Sequence, residues 1–214
     1  MMAAAGGFLD AFTYLGHGHV FANAMTGNIV LLAVELASRQ FDQAERHVIP
    51  IVAFVAGIVF ARSLHRPPLA RLIRSPHLAC MTIEIAFLFV VGWLPPAFPD
   101  AWLTLGVAFV ASIQLSTFST VRGAAYASTF TSGNLRKFTE SAFAFFFNRH
   151  NDDARVFTVA FAALCLAFFG GAAAGGLCTL RLNNHAAWIV DGWLVVVTGR
   201  LVAARAHARR TAAA

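Results

Sequence analysis

The sequence predicts an all-α, polytopic membrane protein, one membrane domain over 1–214 made of two halves, 1–98 and 99–214. Three observations predict it: an apolar composition, a succession of apolar runs of bilayer length, and a Gly-Asn interruption that occurs once in each half.

The composition points to lipid as the main solvent. Hydrophobic residues fill 58% of the 214 positions and charged residues only 12%, with a mean hydropathy of +0.68. A soluble domain has about 25% charged residues. The net charge of +6 and the pI near 10.2 raise nucleic acid as a partner. The basic residues, however, fall between apolar runs, as in membrane-protein loops, so no nucleic-acid partner is expected. Cys80, Cys165 and Cys178 lie in apolar runs without paired or ligand spacing and read as small core hydrophobes. The opening "MMAAAGGFLDAFTYL" lacks a positive n-region and is interrupted by Asp10, so it is not read as a signal peptide.

Apolar runs lie at 3–15, 20–37, 48–64, 77–94, 101–119, 124–147, 156–180 and 185–203. A crossing helix needs roughly 20 residues, with a range of about 17–25. The runs 48–64, 77–94, 101–119 and 156–180 meet that length, and 188–202 does so with its polar start near His185 in the interface. The run 3–15 is too short alone, and "GHGH" at 16–19 ends it. The run 124–147 is long enough but carries Arg136, Lys137 and Glu140. A charge at the bilayer centre costs at least ~2.5–3.5 kcal/mol, so this run is not expected to face lipid throughout. "FAFFF" at 143–147 and "AFF" at 167–169 read as lipid-facing or contact surface. "GGAAAGG" at 170–176 reads as a small-residue face for close helix contact.

Loop charge sets the expected topology. Arg62, Arg66, Arg71 and Arg74 place one loop in the cytoplasm, while "PPAFPD" at 95–100 has no Lys or Arg and is placed outside. Arg205, Arg209 and Arg210 place the C-terminus inside. An odd number of crossings must then separate Asp100 from Arg205, although four runs lie between them. The charged run 124–147 is the one expected not to cross. Merging 3–37 in the same way gives three crossings per half, six in total, with the second half inverted. Superposing Thr26-Gly27-Asn28 on Ser132-Gly133-Asn134 brings Glu84 within two positions of Asp191 and Asp10 near Gln114 or Ser116. A parallel arrangement of four plus four segments is the competing architecture.

The stretch "AGGFLDAFTYLGHGHVFANAMTGNIVLLA" resembles the signature of the YoaK-like family of bacterial multi-pass membrane proteins, whose function is uncharacterised. The residues that carry the likeness are Ala5-Gly6, Asp10-Ala11, Tyr14-Leu15 and Phe21 through Thr26-Gly27-Asn28. That family's second half has a Gln-Asn pair and another Thr-Gly turn. Here Gln114 is followed by Leu115, and the triplet is Ser132-Gly133-Asn134. The resemblance implies a multi-pass protein of the bacterial inner membrane over essentially the whole chain, and it brings no substrate.

Each triplet reads as the start of a half-helix. Gly supplies the backbone freedom for a break, and the following Asn is a good N-cap for "IVLLAVELA" or "LRKFTESA". Such a start exposes free N–H groups and a positive dipole end. In lipid it is tolerated only where it is buried in protein or faces a cavity. Paired broken helices mark transporter substrate sites. Close helix contact is the competing explanation, because Gly and Thr also favour it. Asp10, Glu84 and Asp191 are intramembrane acids, a rare class that serves as proton relays, cation sites or paired charges. Arg122 and Arg136 read as helix-end anchors that would otherwise neutralise these acids.

The leading expectation is therefore a small secondary transporter or permease for a polar or anionic solute. Thr26, Gly27, Asn28, Ser132, Gly133, Asn134 and Gln114 would hold the solute, and Asp10, assisted by Glu84 and Asp191, would couple a proton or other cation. The lipid bilayer, a small solute and a second copy of the chain are the expected partners. A non-transporting sensor or assembly partner, with the triplets as contact devices, is the second reading. No enzyme is expected, and no catalytic residue, cofactor or resident metal. Ser132 lacks a Ser-His-Asp constellation, His17 and His19 lack a third ligand, and no ATP-binding loop is present.

Overall fold

The computed structural model describes residues 2–64, 66, 75–117, 120–121, 124–125, 131–147 and 152–211. Arg71, Arg74 and Arg122 lie outside the described residues. The described residues form eight α-helices: α1 Met2–Gly16, α2 Met25–Ala37, α3 Phe41–Leu64, α4 Pro76–Val91, α5 Asp100–Thr117, α6 Thr131–Phe147, α7 Asp152–Leu182 and α8 Ala187–Thr211. Every apolar run contains one of them. The short pairing of Thr120–Val121 with Ala124–Ala125 precedes α6. Two helical stretches, Phe41–Leu64 and Asp152–Ala204, are long and apolar enough to cross a membrane.

Local chemistry explains the boundaries. Beyond α1, Gly18 (φ +74°) and His19 (φ +57°) are left-handed, a conformation that closes the helix and suits glycine. Pro76 sits at the start of α4, where a missing N–H does no harm. Between α2 and α3, Arg39 is left-handed, and Ser38 and Gln40 donate to the Val34 and Glu35 carbonyls at 2.9 Å each. A 3-10 turn at Asn183–Ala186 links α7 to α8. There Asn184 Nδ2 donates to the Leu94 carbonyl at 3.0 Å, which ties the turn to the end of α4.

The helices pair in a regular order. α1 lies along α7 and α5 along α3, while α2 folds onto α3 and α6 onto α7. α4 sits between α5 and α8. Each half holds four helical segments, and each half's first helix packs on the other half's third. Missing side chains allow the closest approaches. A Cβ on Gly171 would meet the Ala4 backbone, one on Gly175 the Phe8 backbone, and one on Gly7 the Phe168 carbonyl. The small-residue face read from "GGAAAGG" is thus the seat of α1. Gly57 does the same for α3 against Phe109 and Ser112.

Polar side chains are enclosed within an otherwise apolar core, and many large apolar side chains lie on the outside. Asp10, Asn23, Glu84, Ser112, Gln114 and Asp191 are buried. Val52, Val55 and Val59 on α3, and Leu166, Phe169, Leu177 and Leu180 on α7, are exposed. So are Phe143, Phe146 and Phe147 of the expected aromatic surface on α6. Cys80 is buried, Cys165 and Cys178 are half-buried, and all three thiols are free.

Candidate functional site

The chain breaks in the first half, but not where the N-cap chemistry placed the break. Residues 17–24 separate α1 from α2, and α2 begins at Met25 with Ala24 as a cap residue that makes no side-chain bond. Asn28 is the fourth residue of α2 and not its cap. Its side chain reaches back instead: Phe21 N–H donates to Asn28 Oδ1 at 2.9 Å, and Asn28 Nδ2 donates to the Phe21 carbonyl at 2.7 Å. This correction has a plain cause. An amide side chain carries both a donor and an acceptor, so it satisfies a whole peptide unit of the interrupted segment, whereas a cap satisfies one N–H. Gly27 leaves room for the Phe21 ring, which lies 3.0 Å from where its Cβ would be. Thr26 is exposed.

The second triplet occupies the same helical position. Ser132, Gly133 and Asn134 are the second to fourth residues of α6, as Thr26, Gly27 and Asn28 are of α2. Asn134 is buried, while Ser132 and Gly133 are exposed. α2 lies on α3 and α6 on α7, so each triplet belongs to a helix that folds back on the next. Arg136 is exposed and pairs with Glu140 one turn on at 2.7 Å, not with any of the three buried acids.

Asp10 anchors the interrupted segment from the other side. Its Oδ1 accepts the Asn23 amide at 2.7 Å, with the Ala22 and Ala24 amides beside it, and Asn23 Nδ2 donates to the Gly6 carbonyl at 3.3 Å. The break is therefore held at both ends, by Asp10 on α1 and by Asn28 on α2. Glu84 and Gln114 are brought together across α4 and α5: Gln114 Nε2 lies 3.0 Å from each carboxylate oxygen of Glu84. Asp191 on α8 is close enough to act electrostatically on Glu84. Trp188, a turn earlier, donates from Nε1 to the Phe89 carbonyl at 3.1 Å and fixes α8 on α4.

Several polar residues join the site without having been singled out in the sequence. His47 is buried, with Nδ1 3.4 Å from Asn28 Oδ1 and Nε2 3.3 Å from the Glu35 carboxylate. Glu35 carried a readable signal, an acid inside the apolar run "IVLLAVELA". His17 Nδ1 meets Asp100 Oδ1 at 2.9 Å, a contact across 83 positions that no local pattern announces. A cavity of about 310 Å³ opens there, lined by His17, Val20, Arg46, Asp100 and Thr104 among others. A second of about 150 Å³ shares Gly18 and Arg46 and reaches Glu35 and His47. His17 and His19 diverge, since His19 packs edge-on against Tyr14. Among the described residues no group of three or more His, Cys, Asp or Glu side chains is placed to hold a metal ion.

No curated protein and no solved structure is similar to the chain. Residues 1–199 match the sequence model of a family described as protein of unknown function (DUF1275), and the chain belongs to that family.

Proposed function

We propose that the protein is a multi-pass carrier of the bacterial inner membrane that moves a small polar or anionic solute, coupled to a proton or other small cation at its buried acids. The observation that carries this reading is the coexistence of enclosed carboxyl and amide side chains with an outer surface rich in Val, Leu and Phe. Lipid tolerates ionisable groups only when they face a protein interior or an aqueous path, where they serve ion and substrate movement. The likeness of residues 5–28 to YoaK-like membrane proteins points the same way.

The solute path best supported is the pair of cavities beside the interrupted segment. Arg46 lines both, and a guanidinium suits an anionic solute. The swapped helix pairing supports two repeats, while the loop charges support their inversion, six crossings and a cytoplasmic C-terminus. One observation favours a non-transporting sensor instead: the Asn28 amide is bound into a clamp on Phe21.

Reconstitution into proteoliposomes, with a panel of small anions and a pH-sensitive dye inside, tests the carrier reading. Solute-dependent flux is expected, reduced in Asp10→Asn and absent in Glu84→Gln. Flux with none of the solutes, or flux indifferent to both substitutions, rejects it. A cysteine placed at the C-terminus that an impermeant reagent labels from outside rejects the six-crossing topology.

A further inference from the structure

We infer that Glu84, Gln114 and Asp191 form a buried binding site for one alkali-metal cation where α4 meets α5 and α8. The inference deepens the carrier reading and rests on it for its use in transport, whereas the binding itself requires no transport.

Gln114 is 2% exposed and Glu84 1%, and the Gln114 amide donates to both oxygens of Glu84 at 3.0 Å. Both oxygens of Glu84 thus act as acceptors in this contact. The other end of that amide, Gln114 Oε1, has no hydrogen-bond partner. Neither has Oδ1 of Asp191, a residue 7% exposed. Every unfilled atom in the cluster is an oxygen acceptor, and nothing nearby donates to it.

The charge is unfilled as well. The ion pairs among the described residues join His17 to Asp100, His47 to Glu35 and Arg136 to Glu140. On the elements around the cluster, Asp10 of α1 is engaged by Asn23, and Asp100 of α5 by His17. α4 carries His77 a turn or two before Glu84, and Cys80 receives the Thr117 hydroxyl at 3.2 Å. Arg200 of α8 is exposed, about 13 Å along the helix from Asp191 at 1.5 Å per residue. No described cation meets the two carboxyl groups, and an unpaired buried carboxylate is costly.

A single proton would fill one of the two acceptors, Gln114 Oε1 or Asp191 Oδ1, and leave the other empty. A hard metal ion takes carboxylate and amide oxygens together. Met81 and Leu88 of α4, Val107 of α5 and Val190 of α8 belong to one apolar core cluster, an environment that suits an ion shedding its water readily. Mg²⁺ dehydrates reluctantly and keeps several waters, which makes it a poor fit.

The test uses the full chain in detergent at fixed pH, with NaCl, LiCl or KCl titrated against choline chloride at equal ionic strength. Melting is followed by the fluorescence of Trp188 and Trp193, which flank Asp191 on α8. At least one alkali cation is expected to raise Tm saturably. That response should weaken about tenfold in Gln114→Leu and vanish in Glu84→Gln and Asp191→Asn. Glu45→Gln, at an exposed position of α3, should keep it. Should the acid variants fail to fold, equilibrium dialysis of the unaltered protein against radioactive sodium, lithium competing, decides by whether it binds one equivalent. An unaltered protein that no alkali cation stabilises, or that responds only to lower pH, overturns the site, as does a response that persists in all three variants. Binding without any solute flux keeps the site and rejects the carrier; flux without alkali-cation binding does the reverse.

Discussion

Asn28 shows how one residue's chemistry is divided between sequence and fold. Its two hydrogen bonds to the Phe21 peptide hold an interrupted segment in place from within the first turn of α2. Asn28→Ala removes both and leaves a partly buried backbone donor and acceptor, at a cost of about 1–3 kcal/mol, read as a fall in Tm in detergent. Asn28→Asp keeps the acceptor and should fall between the two. Thr26→Ala and Ser132→Ala, at exposed positions, should stay within about 0.5 kcal/mol of the unaltered protein. A Thr26→Ala loss as large as that of Asn28→Ala would contradict the clamp. A break near the triplet was legible because Gly and Asn are poor residues for the middle of a helix. The break itself falls at residues 17–24, and the triplet lies in the first turn of α2. Its bonding was not legible, since a side chain with two faces can cap forward or clamp backward, and only the path of residues 17–24 decides between them.

Whole helices depend on contacts that the sequence announced only on one side. "GGAAAGG" named a face of α7 but not the helix that lies on it, which is α1, more than a hundred residues earlier. Neighbouring glycines make the test. Gly171→Val would drive its side chain into the Ala4 backbone and should cost about 1–3 kcal/mol or more, measured by Tm. Gly170→Ala has nothing within 4 Å of its new Cβ and should be neutral or slightly stabilising. Equal effects at the two positions would show that α1 does not sit on this face. All eight helices could be located from apolar runs, because both the inward and much of the outward surface of these helices is apolar. Their ends came from the turn residues around Gly18, Arg39 and Asn183, which a run of apolar residues does not reveal.

At the scale of the whole molecule, the outward face separates a bilayer protein from a water-soluble one. Leu166 is 70% exposed on α7. In lipid, Leu166→Arg should cost about 2.5–3.5 kcal/mol on insertion and lower the yield in the membrane fraction sharply. In water the same change at an exposed position would fall within about 0.5 kcal/mol. Membrane-fraction yield and detergent Tm of the variant read the difference directly.

From the sequence alone came the helical class, the eight apolar runs, a break in the first half and the three acids, since each rests on composition and spacing along the chain. The tertiary structure decided which acid meets which partner: Glu84 with Gln114 and Asp191, Asp10 with the interrupted segment. It also decided that His17 reaches Asp100 and that the glycines of α7 receive α1. Periodicity along one chain records which residues avoid water. It carries no distance between helices, and a hydrogen bond or a shared charge exists only at a distance.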